Sequence, residues 1–413
     1  MRFKMTKLEK KWVLYDVGNS AFTMMVATIF PIYFNFLAGE AGLSSVDYMA
    51  YWGYATSICT LIVAVIGPVL GTIADTRNYK KAIFTVFLGI GVVGCVTLGF
   101  LSSWIWFLGI FVIAKAGYSS SLIFYDAMLV DVTEPERMDV VSSHGFAWGY
   151  IGSCIPFVAS LIVVLGAGKF GLGMQTSMAI AFMITAVWWL CSALPLLKSY
   201  RQRYFTEVKG NVVSSGFSRL AATFRDISKE KHIFLFLLAF FFYIDGVYTI
   251  IDMATAYGQA LGLDSTGLLL ALLLTQIVAF PSVLIFTQIG KKVSSTNIIT
   301  ICIAAYLAIS IFAFWLDTQR EFWILAVLVG VFQGTIQALS RSYFAKIIPA
   351  QKSGEYFGLY DICGKGAAIF GTALVAFVSQ ASNDVNTGVG AISVMFIFGL
   401  ILFRVAVKAA HNG

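Results

Sequence analysis

Charged side chains stand inside long apolar runs of this sequence, among them Asp16, Lys115, Asp126, Asp245, Asp252, Arg341, Asp361 and Lys365. A charge at the centre of a membrane helix costs about 2.5–3.5 kcal/mol on insertion scales, so such a residue faces protein or a wet cavity, where ion and solute chemistry takes place. Helical spacing arranges these groups in stripes. Asp16, Asn19 and Thr23 share one face, and Lys115, Ser119, Leu122 and Asp126 another. Asp245, Thr249 and Asp252 form a third stripe, and Gln333, Gln337 and Arg341 a fourth. Lys115, Asp245 and Lys365 fall near the middle of a hydrocarbon core about 30 Å thick. Both signs are therefore on offer there, as binding an ammonium and a carboxylate together requires.

Several roles stay open at this level. Asp361 and Lys365, four residues apart, are equally an internal ion pair. Asp16 and Asp126, near helix ends, either line a path or simply reach interfacial water. Arg341 is the better fork for a carboxylate, with Gln333 and Gln337 beside it, or else a structural partner of Asp361. Asp245, next to Gly246, is a candidate carrier of a coupling proton, against the alternative of a permanent Asp–Lys bridge.

The elements that must position these groups follow from composition. Of 413 residues, 59% are apolar and only 12% charged, against about 25% charged in an ordinary soluble domain. Twelve stretches have the roughly 20 apolar residues that a spanning helix needs: 12–37, 48–73, 82–100, 104–129, 141–165, 176–197, 233–260, 267–289, 297–316, 322–345, 356–380 and 389–407. The polar segment 198–232 divides them into a first six-helix bundle, 1–197, and a second, 233–413. The expectation is an all-α membrane protein of twelve helices in two pseudo-repeat bundles joined by a cytoplasmic linker.

Basic residues decide the orientation. The N-terminal segment, the even-numbered connections and the tail hold 23 of the 28 Lys and Arg, whereas the odd connections hold Lys169 and Arg320. Both termini are therefore expected in the cytoplasm. The first apolar run is too long for a signal-peptide core and is read as a retained helix. The net charge of +7 is this topological bias, so no nucleic-acid partner is expected. Six cysteines lie in apolar runs without metal or disulfide spacing. The sequence lacks HExxH, GxSxG and GxxxxGK[ST] patterns, which argues against an enzyme, an ATPase or a metal site.

Residues 67–81, GPVLGTIADTRNYKK, join small residues to an acid and a basic cluster in a short turn. Small residues permit close helix approach, and Asp75 is placed to accept hydrogen bonds from the positive end of a neighbouring helix. The run resembles the loop between helices two and three of the major facilitator superfamily, G-x-x-x-D-x-x-x-x-[RK]-[RK], on which Gly71, Asp75, Lys80 and Lys81 fall, with Arg77 between. Asn78 replaces a usual glycine, and Asn also enters left-handed turns. The counterpart in the second half, residues 287–292, lacks the acid, so a gate built on Asp75 is expected to be asymmetric.

A narrower resemblance rests on residues 12–21 (WVLYDVGNSA), 124–129 (FYDAML), 142–153 (SSHGFAWGYIGS), 243–249 (YIDGVYT), 333–342 (QGTIQALSRS) and 355–360 (EYFGLY). These are similar to the branch of that superfamily that contains the autophagy-linked vacuolar amino-acid effluxers and their bacterial relatives. The resemblance implies a monomeric secondary transporter in a bacterial inner membrane, working by alternating access on a proton or ion gradient, with no cofactor. It implies that helices one, four, seven and ten line the cavity. Its partners are membrane lipid and a small-molecule substrate, an amino acid or similar amphoteric solute. A drug, peptide or lipid-like cargo, or a solute sensor that does not transport, are the alternatives.

Overall fold

The structure, a computed structural model, describes residues 4–207, 223, 225 and 230–412. Most of the linker 198–232 therefore lies outside the described residues. Among the described residues twelve helices are long and apolar enough to cross a membrane. In chain order they are α1 Lys7–Glu40, α2 Ala50–Ala74, α3 Tyr79–Leu98, α4 Trp104–Ala127, α5 Pro135–Leu165, α6 Met174–Ser199, α7 Lys231–Ala254, α8 Leu270–Ile289, α9 Ser295–Trp315, α10 Gln319–Ile347, α11 Ala350–Ser382 and α12 Val385–Ala410. Among the described residues there is no strand, and one isolated parallel bridge joins Thr76 to Thr206.

Local sequence explains where helices start and bend. Thr6 and Glu9 form a capping box at the start of α1, satisfying two otherwise orphaned N–H groups. The helix then breaks at Thr28 (φ −131°, ψ −72°). Pro31, three residues on, has no N–H to return to the carbonyl of Ala27. Asn78 takes the left-handed conformation, φ 69°, at the start of α3. In α11 the α-helix Ser353–Asp361 passes through a π-helical turn, Ile362–Gly366, before resuming at Ala367.

The chain forms two compact units that depart from the sequence halves at two places. The first comprises residues 1–132, 148–212 and 351–358, and the second residues 133–147, 213–350 and 359–413. Each of α5 and α11 thus gives its opening turns to one unit and its remaining length to the other. In the first unit α1 packs on α6, and α4 on both α3 and α2. Its core is aromatic, with Trp12, Tyr15, Phe22, Phe30, Tyr125 and Trp189 fully buried. In the second, α7 packs on α12 and α11, and α10 on α8 and α9, around Phe236, Tyr243, Phe344 and Phe403.

Candidate functional site

In the first unit, α1 and α4 are stapled reciprocally: Trp12 Nε1 donates to the Tyr125 carbonyl and the Tyr125 hydroxyl to the Trp12 carbonyl, both at 3.1 Å, with the rings stacked at 4.4 Å. A Tyr15–Ser121 hydroxyl bond of 2.9 Å lies beside them. This frame fixes Asp16, which is buried and accepts a bond from Asn19 Nδ2 at 3.2 Å. Lys115 and Asp126 of the same unit are half-buried, with the Lys115 ammonium 5.8 Å from the Phe111 ring centre.

A densely bonded site of this unit lies at the end that carries the basic loops. The Asp75 carboxylate accepts the backbone N–H of Gly354 at 2.8 Å and of Glu355 at 2.9 Å. These are orphan donors of the first turn of α11, and a carboxylate there also meets the positive helix end. Two small-residue stripes permit the approach. A Cβ on Gly71 would sit 2.2 Å from the Gly354 carbonyl, and one on Gly358 2.8 Å from Pro68 Cα. Gly67 and Gly71 on α2 thus face Gly354 and Gly358 on α11, each pair four residues apart.

Lys80, one of the basic cluster of this short turn, is fully buried. Its ammonium reaches Ser353 Oγ at 2.7 Å, Asp131 Oδ2 at 3.2 Å and Asp75 at 3.8 Å. Lys81 is half-buried; Arg77 is exposed, with its guanidinium 5.2 Å from the Phe205 ring centre. Burial pushes the Asp75 carboxyl up to about 7, against the opposing pull of the Lys80 charge and the two backbone N–H groups.

In the second unit Arg341 is buried and grips α5. Its Nε donates to Ser142 Oγ at 2.9 Å, its Nη2 to the Ser142 carbonyl at 3.1 Å, and the guanidinium covers the Phe146 ring at 4.4 Å. Next to it, Ser342 donates to Asp139 at 2.6 Å, and Lys346 pairs with the same carboxylate at 2.6 Å. The partners of Arg341 thus include Ser142 and Phe146, while Asp361 is paired with Lys365 at 2.5 Å. Lysine has neither the fork nor the planar face of Arg341. Arg341→Lys should therefore lower the melting temperature by a few degrees, at about 1.5–3 kcal/mol for a charged hydrogen bond, and leave substrate affinity within about two-fold. A large loss of affinity in a binding assay would instead return Arg341 to the solute path.

Asp245, the fifteenth residue of α7, is fully buried near mid-helix. Its Oδ1 accepts the Gly371 N–H at 3.2 Å and the Thr249 hydroxyl at 3.3 Å, while Oδ2 has no hydrogen-bond partner among the described residues. Among the described residues neither oxygen meets a cation. A Cβ on Gly371 would lie 2.0 Å from Thr249 Oγ1 and 2.7 Å from Asp245 Oδ1, so only glycine lets α11 seal this carboxylate. The Asp361–Lys365 pair sits a few residues earlier on α11, where the π-turn widens the helix. Gln333 is buried with Nε2 unbonded among the described residues, Gln337 is half-buried, and Asp252 is exposed.

Sequence reasoning passed over Asp131, Asp139, Tyr200 and Ser353, and met Ser142 only as the first residue of the 142–153 motif. Asp131 lies just past α4 in a four-residue helical turn, Leu129–Val132, and is fully buried. An acid flanked by Val130 and Val132 in an otherwise apolar tetrad was the available signal.

A family model described as vacuole effluxer Atg22 like matches residues 6–412. The chain belongs to the Atg22-like family. A protein similar to this Atg22-like chain, the uncharacterized MFS-type transporter YxiO of Bacillus subtilis, is 42% identical over 97% of this chain and 95% of its own length. Autophagy-related protein 22 of Saccharomyces cerevisiae is 26% identical over 66% of this chain, and the match spans 58% of the yeast protein. Among solved structures, the Escherichia coli fucose:proton symporter FucP superposes on this Atg22-like chain with a TM-score of 0.72 over 97% of both chains at 16% identity, which shows the major facilitator fold.

Proposed function

We propose that this protein is a secondary transporter that moves a small solute across a bacterial inner membrane by alternating access, as a monomer with both termini in the cytoplasm. The observation that carries the reading is the manner in which the opening turns of α5 and α11 are held. Gly354 and Glu355 hang on one carboxylate, and Ser142 and Asp139 on Arg341, Ser342 and Lys346. Polar caps of this kind, unlike an apolar core, can be released and remade within a transport cycle. Membership of a family described by its vacuole effluxers supports export, and the Asp361–Lys365 pair offers both signs to an amphoteric solute such as an amino acid. Asp245 is assigned the coupling proton, with the unbonded Oδ2 as its seat.

Purified protein in proteoliposomes should accumulate at least one member of an amino-acid mixture when a proton gradient is imposed. Binding without flux would make the protein a sensor. In intact cells, cysteines placed near Glu40 and Asp384, on the odd connections, should react with an impermeant maleimide. Reaction there only after permeabilisation would reverse the assigned orientation.

A further inference from the structure

The segment that leaves α6 does not run free toward the second half of the chain. Tyr200 is buried and its hydroxyl donates to Asp131 Oδ2 at 2.5 Å, while the backbone N–H groups of Arg203 and Tyr204 both donate to Asp131 Oδ1 at 2.9 Å. Gln202 Nε2 donates to the Ala74 carbonyl at 3.1 Å, and Thr206 closes the run by donating its N–H to the Asp75 carbonyl at 2.8 Å. Phe205 lies under the Arg77 guanidinium. The run 200–206 is thus stitched to the backbone around Asp75 and to the carboxylate that holds Lys80.

Asp131 accepts four donors, three from this segment and one from Lys80. A buried carboxylate with that many donors is fixed in place, and it anchors the ammonium that bonds Ser353. Taking one partner from a buried ion pair is costly because the other charge is left uncompensated. Lys80 therefore remains aimed at the start of α11 for as long as Asp131 is held.

We infer that residues 200–206 act as a strap that positions the α11 cap, with Asp131 as the positioning residue that passes the strap's hold to Lys80 and so to Ser353, Gly354 and Glu355. Residues 200–206, the start of the inter-half linker, then belong to the gate rather than serving as a passive tether, and a pull on them loosens the first turn of α11. This rests on the transport reading for its purpose but not for its physics.

The test is hydrogen exchange by mass spectrometry on the full chain in nanodiscs, comparing wild type with Asp131→Asn, Tyr200→Phe and Thr206→Pro. Tyr200→Phe deletes one donor and keeps the ring; Thr206→Pro deletes the N–H at the strap's end. The amides of 353–358 should exchange at least about ten-fold faster in each, which corresponds to about 1.4 kcal/mol. Faster exchange confined to 203–205, with 353–358 unchanged, would reduce the strap to a local attachment and overturn the inference. If Asp131→Asn does not fold, the other two variants decide. Linked exchange in a protein that shows no solute flux would sink the transport reading and leave the strap standing.

Discussion

Asp75→Asn should cut solute flux at least about ten-fold while expression and solute binding stay close to wild type. The carboxylate accepts the N–H groups of Gly354 and Glu355 with separate oxygens. An asparagine keeps one acceptor and turns an NH2 group toward a donor. Loss of one charge-assisted bond, about 1.5–3 kcal/mol, shifts a two-state equilibrium by ten-fold or more, so the state that needs α11 capped becomes rare. Lys80 keeps Asp131, which protects the fold. Counterflow and equilibrium binding on the same preparation separate the effects. Normal flux in this variant would remove Asp75 from the gate.

The second large effect is expected at Asp245. Asn retains an oxygen where Oδ1 accepts from Gly371 and Thr249, and it places an NH2 group where Oδ2 has no partner among the described residues, so it mimics the protonated acid with little change of shape. Asp245→Asn should abolish uphill accumulation driven by a proton gradient yet keep exchange of solute at equal concentrations, measured with labelled solute in proteoliposomes. A variant that still concentrates solute on a proton gradient alone would show that the carrier lies elsewhere.

Membrane helices are legible because their length and apolarity are imposed by the bilayer. The twelve stretches read from the sequence each correspond to one of the helices here, with shifts at the ends. Interruptions were harder to foresee. The break at Thr28 follows from Pro31 and was visible in principle, whereas the π-turn at Ile362–Gly366 leaves no mark in composition. The burial of Lys80 and Asp131 was not legible, because helix ends look polar in sequence whether they face water or protein. Only the fold, by bringing residues 353–355 and 200–206 onto them, turns both into buried partners. Likewise Arg341 stood on a polar stripe with Gln333 and Gln337, and spacing could not say that Ser142 and Phe146, some 200 positions earlier, would meet it.

The division of α5 and α11 between the two compact units bears on how the protein is made. Asp75, Lys80 and Asp131 emerge from the ribosome long before residues 351–358, the piece that completes their unit. Until α11 is synthesised, an ammonium and two carboxylates wait at the membrane surface with part of their bonding unmet. Conversely, residues 133–147 are inserted early, before the rest of the second unit to which they belong exists. Neither unit can therefore mature during synthesis of the first six helices. A chain truncated after them should be inserted yet remain prey to quality-control proteases, and supplying the missing half as a separate polypeptide should rescue it.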